Sequence, residues 1–321
     1  MHSLKLISFL FFLLIVSFVS GQAIDNTSAY KNIDSDHYFR FSYENDFFVA
    51  TDYYYTQGIN LELVSPSLSK FPVAKILFKP VSSDVKYGLA IEQNGYTPTD
   101  FTAHQILYGD RPFCASLFLK FFSTAVDSAK QRRLSSSFSV GVLGTAAGGE
   151  WMQVNIHKAL HNIQPYGWDN QIHDDVILNY EVEDECQLFA RKGLLLSSYA
   201  TIRAGTLSDK ASAGVTLMLG RFSSPFQTSE LMKKKFRLYS YDQPLISAVG
   251  YDATLQGGVF NHTSPYTISA SDITRITFQN NFGFVATIGK LNLSYYQSYL
   301  TKEFRTEMFH RWGGVSIGVE L

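Results

Sequence analysis

The feature that most constrains the fold is an alternation of apolar and polar residues that recurs along the chain. Residues 59–63 read INLEL, and the last seven residues, 315–321, read VSIGVEL. A period of two residues is typical of a β-strand that buries one of its faces. The chain is therefore predicted to be built mainly from half-buried strands.

About twelve such segments follow one another, and many of them reach about ten residues, close to the length that crosses a bilayer on a tilt. Their joins alternate between tight turns, such as 191–193, and long loops, such as 145–176. These features predict an all-β fold, a transmembrane antiparallel β-barrel of about 12 strands with long extracellular loops and a short loop helix. The alternative is a soluble β-sandwich, which has shorter strands and no difference between its two ends. We place the segments at 37–48, 55–66, 85–93, 115–126, 135–144, 177–190, 195–204, 212–221, 236–255, 272–287, 290–302 and 307–321.

The first residues predict export. Lys5 precedes an almost unbroken apolar run at 6–19, and small residues follow at Ser20, Gly21 and Ala23. This pattern is typical of a secretory signal peptide, here 1–23, followed by a barrel domain at 24–321. No later run approaches 18 apolar residues, so no helical membrane span is expected after the signal.

Charge and cysteine content narrow the range of partners. The net charge of −1 gives no electrostatic case for binding nucleic acid. The chain has two cysteines, Cys114 and Cys186, which could pair in an oxidising compartment, and the sequence leaves that open. We expect a membrane-embedded monomer.

Strand parity assigns the connections to the two sides of the membrane. If the amino end begins in the periplasm, every connection that follows an odd-numbered strand faces outward. One inner connection, 67–84, is longer than an inner turn should be, and the sequence does not explain its length. The outward connections are 48–54, 94–114, 145–176, 205–211, 256–271 and 302–306.

Two outward regions carry candidate catalytic residues. Asn45 and Asp46 stand side by side in YENDFF, where a strand ends among aromatic residues, and their oxygens suit a calcium ion or the polarisation of water. Residues 150–162 have helical spacing, which places Gln153 and His157 on one face, with His161 continuing it. An imidazole titrates near neutral pH and can serve as a general base. The alternative is a surface helix with two ordinary histidines.

Other catalytic signatures are weak or missing. Arg111, in Asp110-Arg111-Pro112, could clamp a phosphate or carboxylate just before a strand, or could simply pair with Asp110. The sequence contains no GxSxG, CxxC or HExxH motif, so a serine nucleophile and a zinc site have no support.

Five motifs in order resemble the lipid A 3-O-deacylase family of outer membranes: YENDFF, TDYYYTQG, GDRPF, GGEWMQVNIH and YGWDNQ. The resemblance covers 43–171 and implies a twelve-stranded barrel with calcium-dependent hydrolysis of the ester-linked acyl chain at the 3′ position of lipid A. FCAS at 113–116 departs from the family pattern, which tends to carry an aromatic residue followed by Ala-Gly.

The resemblance also implies roles for particular residues. His157 would activate water with support from Gln153. Asn45 and Asp46 would hold calcium or orient the water and the oxyanion. Thr56 would be a hydroxyl donor beside them. Arg111 would contact a lipid A phosphate.

The expected partner is lipid A or lipopolysaccharide in the outer leaflet of a bacterial outer membrane. Two other functions stay open at this point. The first is a non-enzymatic porin or scaffold barrel, and the second is a relative that acts on another outer-leaflet lipid ester.

Overall fold

Twelve antiparallel strands close into a barrel in the computed structural model, which describes residues 27–51, 53–80, 84–228 and 236–321. Each strand pairs with its sequence neighbours, and β1 pairs with β12 so that Tyr38 lies opposite Glu320 and Asn45 opposite Gly313. The predicted barrel is confirmed, whereas the predicted signal peptide lies outside the described residues. The strands are β1 Tyr38–Asn45, β2 Tyr54–Val64, β3 Asp84–Thr97, β4 Cys114–Asp127, β5 Arg132–Leu143, β6 Asp175–Arg191, β7 Leu194–Gly205, β8 Ser208–Arg221, β9 Phe236–Asp252, β10 Ile276–Ile288, β11 Leu291–Leu300 and β12 His310–Glu320.

Two α-helices lie in the outward connections. Helix α1, Gly149–Leu160, confirms the predicted loop helix, and α2, Ala253–Gln256, is a single turn after β9. The predicted strand at 236–255 ends early because the Asp252 side chain accepts a hydrogen bond from Thr254 N and caps α2. Within the described ranges, no helix has both the length and the apolar character needed to cross a membrane.

The connections at the two ends of the barrel differ as predicted, with two exceptions. The predicted outward loop 205–211 shrinks to 206–207, because β7 and β8 continue almost to each other. Two inner connections are long, while the other three are short turns. One is the connection expected at 67–84, which spans 65–83, and the other is 222–235. The short inner turns are 128–131, 192–193 and 289–290.

The alternation sorts side chains between the lumen and the outer wall. Leu61 and Ile317 are exposed on the outside. Inside, acidic and basic side chains pair across neighbouring strands. Such lumenal pairs include Arg40–Glu62, Lys120–Glu92 and Arg203–Glu181, at 2.8, 2.9 and 2.5 Å.

The segment 27–35 occupies part of the lumen. The Tyr30 ring stacks on Tyr241 with 3.7 Å between ring centroids, and the Tyr30 carbonyl accepts a hydrogen bond from Tyr239. Ala29 N donates to Glu185 Oε1 at 3.0 Å. These contacts pack the lumen with protein atoms, which favours a structural core over the water-filled channel of a porin.

Both cysteines are free. Cys114 begins β4 at the outward end of the barrel, whereas Cys186 lies opposite Arg132, where β5 begins at the inner end. The pairing that the sequence left open is therefore absent.

Candidate active site

The turn after β1 is built by the Asn45 side chain. Strand β1 ends at Asn45, so Asp46 begins a short 3₁₀ turn instead of pointing to the opposite face of a continuing strand. Asn45 Oδ1 accepts from Phe47 N at 2.7 Å, and Asn45 Nδ2 donates to Tyr43 OH and to the Thr56 carbonyl. The amide therefore caps the turn and ties β1 to β2.

A β-bulge turns Thr56 out of the lumen. The register of β2 against β3 shifts between Tyr55 and Gln57. Tyr55 points inward, where its hydroxyl bonds Glu44 and Asn94. The extra residue lets Thr56 face the outer side of the wall, a common use of bulges near functional sites.

Helix α1 lies against the outer face of the barrel wall. Ser116 lines the lumen, so its neighbour Ala115 points outward. A Cβ on Gly149 would come within 2.5 Å of Ala115 Cβ and 2.7 Å of the Trp168 ring. The missing side chain at this position allows the first turn of α1 to approach the wall.

Gln153 connects α1 to the barrel. Its Nε2 donates to Thr56 Oγ1 at 3.1 Å, and its Oε1 accepts from Trp168 Nε1 at 2.7 Å. Gln153 is 1% exposed. Since both bonds are buried, they fix the rotation of α1 about its axis and therefore the direction of the face that Gln153 shares with His157.

His157 lies one helical turn beyond Gln153, about 6 Å along the axis. Its Nδ1 bonds the carbonyl oxygen of Ile163, and its ring packs edge-on against Phe101, 5.3 Å between centroids. A carbonyl oxygen only accepts, so the imidazole nitrogen bonded to it must carry the proton. Of the two neutral tautomers, this contact therefore selects the one in which Nε2 has a lone pair to accept a proton.

The structure thus brings together most of the predicted site residues. Asn45, Thr56 and Gln153 form one chain of hydrogen bonds, Asp46 directly follows Asn45, and His157 extends from the same helix face as Gln153.

The oxygens around the first turn fit a calcium ion in part. Asp46 supplies a buried carboxylate, which suits a hard cation. Asn45 fits less well, because its Oδ1 already accepts from Phe47 N. Across the described part of the chain, no group of three or more His, Cys, Asp or Glu side chains is arranged to hold a metal ion.

Arg111 lies outside this cluster. Its guanidinium is fully buried and bonds Glu303 at 2.6 Å and Thr254 Oγ1 at 2.7 Å, with Glu307 at 4.0 Å. The expected alternative, a solvated pair with Asp110, is not formed by the guanidinium; Asp110 instead accepts from the backbone N of Arg111. Its contact with a lipid A phosphate stays a prediction, since both terminal nitrogens already bond protein oxygens.

Exposed apolar side chains surround the cluster. Phe47 follows Asp46, Trp151 lies on the first turn of α1, and Ile163 supplies the carbonyl that orients His157. They are 77%, 72% and 64% exposed. An exposed apolar surface next to polar candidate catalytic groups suits a substrate with hydrocarbon chains.

The sequence did not predict three of the groups that position His157 and Gln153. Phe101 and the Ile163 carbonyl position His157, and Trp168 holds Gln153. Of the three, only Trp168 lies in a motif that the sequence analysis singled out, YGWDNQ. A packed ring and a backbone carbonyl leave no motif that spacing could reveal.

The sequence and the fold both resemble those of known proteins. The sequence matches the model of the family described as "Outer membrane protein LpxR" over residues 7–321. The solved structure of LpxR from Salmonella typhimurium is 19% identical with a TM-score of 0.71, covering 88% of this chain and 100% of that one. The β domain of the Bordetella autotransporter BrkA is 8% identical with a TM-score of 0.47, covering 88% and 98%.

A search of curated proteins finds no match. The Salmonella likeness shows the fold, and the family match spans the described barrel and all the site residues. The chain therefore belongs to the family of the outer membrane protein LpxR, the lipid A 3-O-deacylases, and is a protein of the outer membrane.

Proposed function

We propose that this chain hydrolyses the ester-linked acyl chain at the 3′ position of lipid A by attack of water that His157 activates. The observation that carries the proposal is the bond from His157 Nδ1 to the Ile163 carbonyl, which leaves Nε2 as a base. The site lies between α1 and the outer wall. Because the outer wall faces lipid, the acyl chains of lipid A can stay in the membrane while its sugar reaches the outward loops.

The reaction needs no covalent intermediate on the protein. Nε2 of His157 takes a proton from water as the water oxygen bonds to the ester carbonyl carbon. The tetrahedral intermediate then breaks the bond from this carbon to the sugar oxygen. The imidazolium returns the proton to that oxygen, so the products are a free fatty acid and a 3′ hydroxyl group.

Thr56 and Gln153 have separate roles. Thr56 Oγ1 accepts from Gln153 Nε2, so its own O–H can donate to the developing oxyanion. Gln153 is a positioning residue, because its two buried bonds hold the helix that presents His157.

Asp46 is the residue that would hold calcium in this proposal. Its carboxylate is buried in the turn that Asn45 caps. A bound ion would supply positive charge that stabilises the oxyanion. Asn45 would act through the shape of the turn, since its amide oxygen is already engaged.

Mass spectrometry of lipid A from cells that express the protein tests the proposed activity. We expect lipid A to lose the mass of the 3′ ester-linked acyl chain, compared with cells that carry an empty vector. Unchanged lipid A together with ion conductance in planar bilayers would support the porin instead. Loss of an acyl group from a different outer-leaflet lipid would support the relative with another substrate.

Removal of calcium is expected to lower the rate by roughly 100-fold or more, because the oxyanion loses its strongest stabilising charge. The measurement is acyl release by purified protein in a chelator, before and after calcium is restored. A second readout is the free energy of unfolding. Calcium at 100 times its dissociation constant should raise it by about 2.7 kcal/mol. Asp46→Ala should remove both responses. Full activity in the chelator would contradict the calcium role.

A further inference from the structure

The long inner connection between β2 and β3 folds back onto the outer wall of the barrel. Within its described part, the 66–79 segment contains two 3₁₀ turns, Pro66–Lys70 and Pro72–Lys75. Leu68, Ala74 and Leu77 are buried against Phe121, with the rings of other strands packed around them. Phe121 points outward, because its neighbour Lys120 bonds Glu92 in the lumen.

This segment covers a polar part of the wall. Ser123 and Ser136 face outward on β4 and β5, are almost fully buried, and lie 3.3 Å apart. Ser136 Oγ donates to the Phe78 carbonyl, and the Tyr180 hydroxyl donates to the Ile76 carbonyl. Hydroxyl groups facing hydrocarbon without partners are unfavourable, so the segment takes the place that lipid would otherwise occupy.

The outer surface of the 66–79 segment is both apolar and basic. Phe71, Ile76 and Phe78 are more than half exposed. Three exposed lysines are interspersed with them along the chain, and none forms an ion pair with a carboxylate in the parts of the chain that the structure describes. Lys79 Nζ donates to Tyr87 OH at 2.7 Å, so its charge is held at the surface without being neutralised. The lysines are Lys70, Lys75 and Lys79. Aromatic and aliphatic side chains mixed with lysine are typical of protein surfaces at the boundary between hydrocarbon and headgroups.

The topology assigns this surface to one leaflet. The connection lies at the end of the short turns 128–131, 192–193 and 289–290, opposite the site. Short turns of outer-membrane barrels face the periplasm. The adjacent leaflet is composed of phospholipid, and the unpaired positive charge of the lysines complements an anionic headgroup.

We propose that the 66–79 segment is a binding surface for anionic phospholipid of the periplasmic leaflet. The lysine ammonium groups bind the headgroup phosphates, and the exposed apolar side chains enter the acyl region. The surface is separate from the candidate active site and does not depend on the deacylase activity.

Lipid retention by the purified full chain tests this surface. The protein is placed in nanodiscs of equal parts phosphatidylglycerol and phosphatidylcholine. Native mass spectrometry then counts the lipids of each kind that stay bound to the protein after it is released from the nanodisc. Wild type should retain phosphatidylglycerol preferentially. A variant with Lys70→Gln, Lys75→Gln and Lys79→Gln should lose about fivefold in retention for each lysine removed at low salt.

The matched control changes three lysines of the short inner turns, Lys130→Gln, Lys192→Gln and Lys290→Gln, which alters the net charge equally at the same end of the barrel. The control should keep the preference for phosphatidylglycerol. Heat-dependent mobility on a denaturing gel confirms that each variant is folded. Equal retention of the two lipids by wild type, unchanged retention by the first variant, or an equal loss in both variants would overturn the proposal.

Discussion

Replacing His157 with alanine is expected to lower the rate of lipid A deacylation by about 100- to 10,000-fold. The variant loses the imidazole whose Nε2 is the proposed base and whose Nδ1 bonds the Ile163 carbonyl. It should stay folded, because Ile163 is exposed and water can bond its carbonyl, so the lost hydrogen bond costs about 1 kcal/mol. The rate is measured as acyl release from purified lipid A by mass spectrometry.

His161→Asn is the matched control for this experiment. It removes the other imidazole of the helix at a position with a φ of 54°, which asparagine tolerates. The control should keep nearly the wild-type rate. Imidazole added to the buffer should restore part of the activity of His157→Ala, a rescue that a purely structural role would not give. Equal activity of wild type and His157→Ala would contradict the assignment of the base.

Replacing Arg111 with methionine is expected to destabilise the protein by about 3–5 kcal/mol. The guanidinium bonds Glu303 and lies 4.0 Å from Glu307, both in the connection between β11 and β12. Without Arg111, the buried Glu307 carboxylate and the largely buried Glu303 carboxylate would lose their compensating charge. The free energy of unfolding is measured in urea with the barrel in lipid vesicles. A weaker affinity for lipid A at unchanged stability would instead support a phosphate contact.

The effect of Arg111→Met should depend on pH. Burial raises the pKa of Glu307 well above its usual range, and Glu303 raises it further, while Arg111 lowers it. A carboxyl group with a raised pKa in the folded state contributes stability below its unfolded pKa and loses it as the pH rises through its folded pKa. The free energy of unfolding of the variant should therefore lie far below that of wild type at pH 8, and the difference should be smaller at pH 5. Adding Glu303→Gln and Glu307→Gln should restore stability, and an unchanged defect would contradict the charge explanation.

Much of the architecture follows from local pattern. Alternation predicts the strands because each one has a lipid-facing and a lumenal face, and an even number of them closes the sheet. Helical spacing places Gln153 and His157 on one face of α1, as the structure shows. Alternation along a continuing strand would point Asn45 and Asp46 to opposite faces of the sheet. Strand β1 ends at Asn45 instead, and Asp46 begins a 3₁₀ turn.

The rest depends on contacts between distant parts of the chain. Arg111 and Glu303 are 192 residues apart and meet because the barrel closes, so the sequence suggested Asp110 as a partner for the arginine. The carbonyl that orients His157 belongs to the backbone, which no sequence motif marks. The 65–83 connection is long because it covers the outward-facing Ser123 and Ser136 of the barrel wall, and the sequence alone does not show that these residues lie beneath it.

The most direct test of the proposed reaction is tandem mass spectrometry of lipid A after treatment with the purified protein. Fragmentation locates the missing acyl chain, and the free acid is identified in the same sample. We predict that wild type removes the 3′ ester-linked chain, leaves the amide-linked chains intact and releases the acid in equal amount. Intact lipid A after treatment with a folded barrel, or loss of the same chain by His157→Ala at the wild-type rate, would contradict the account.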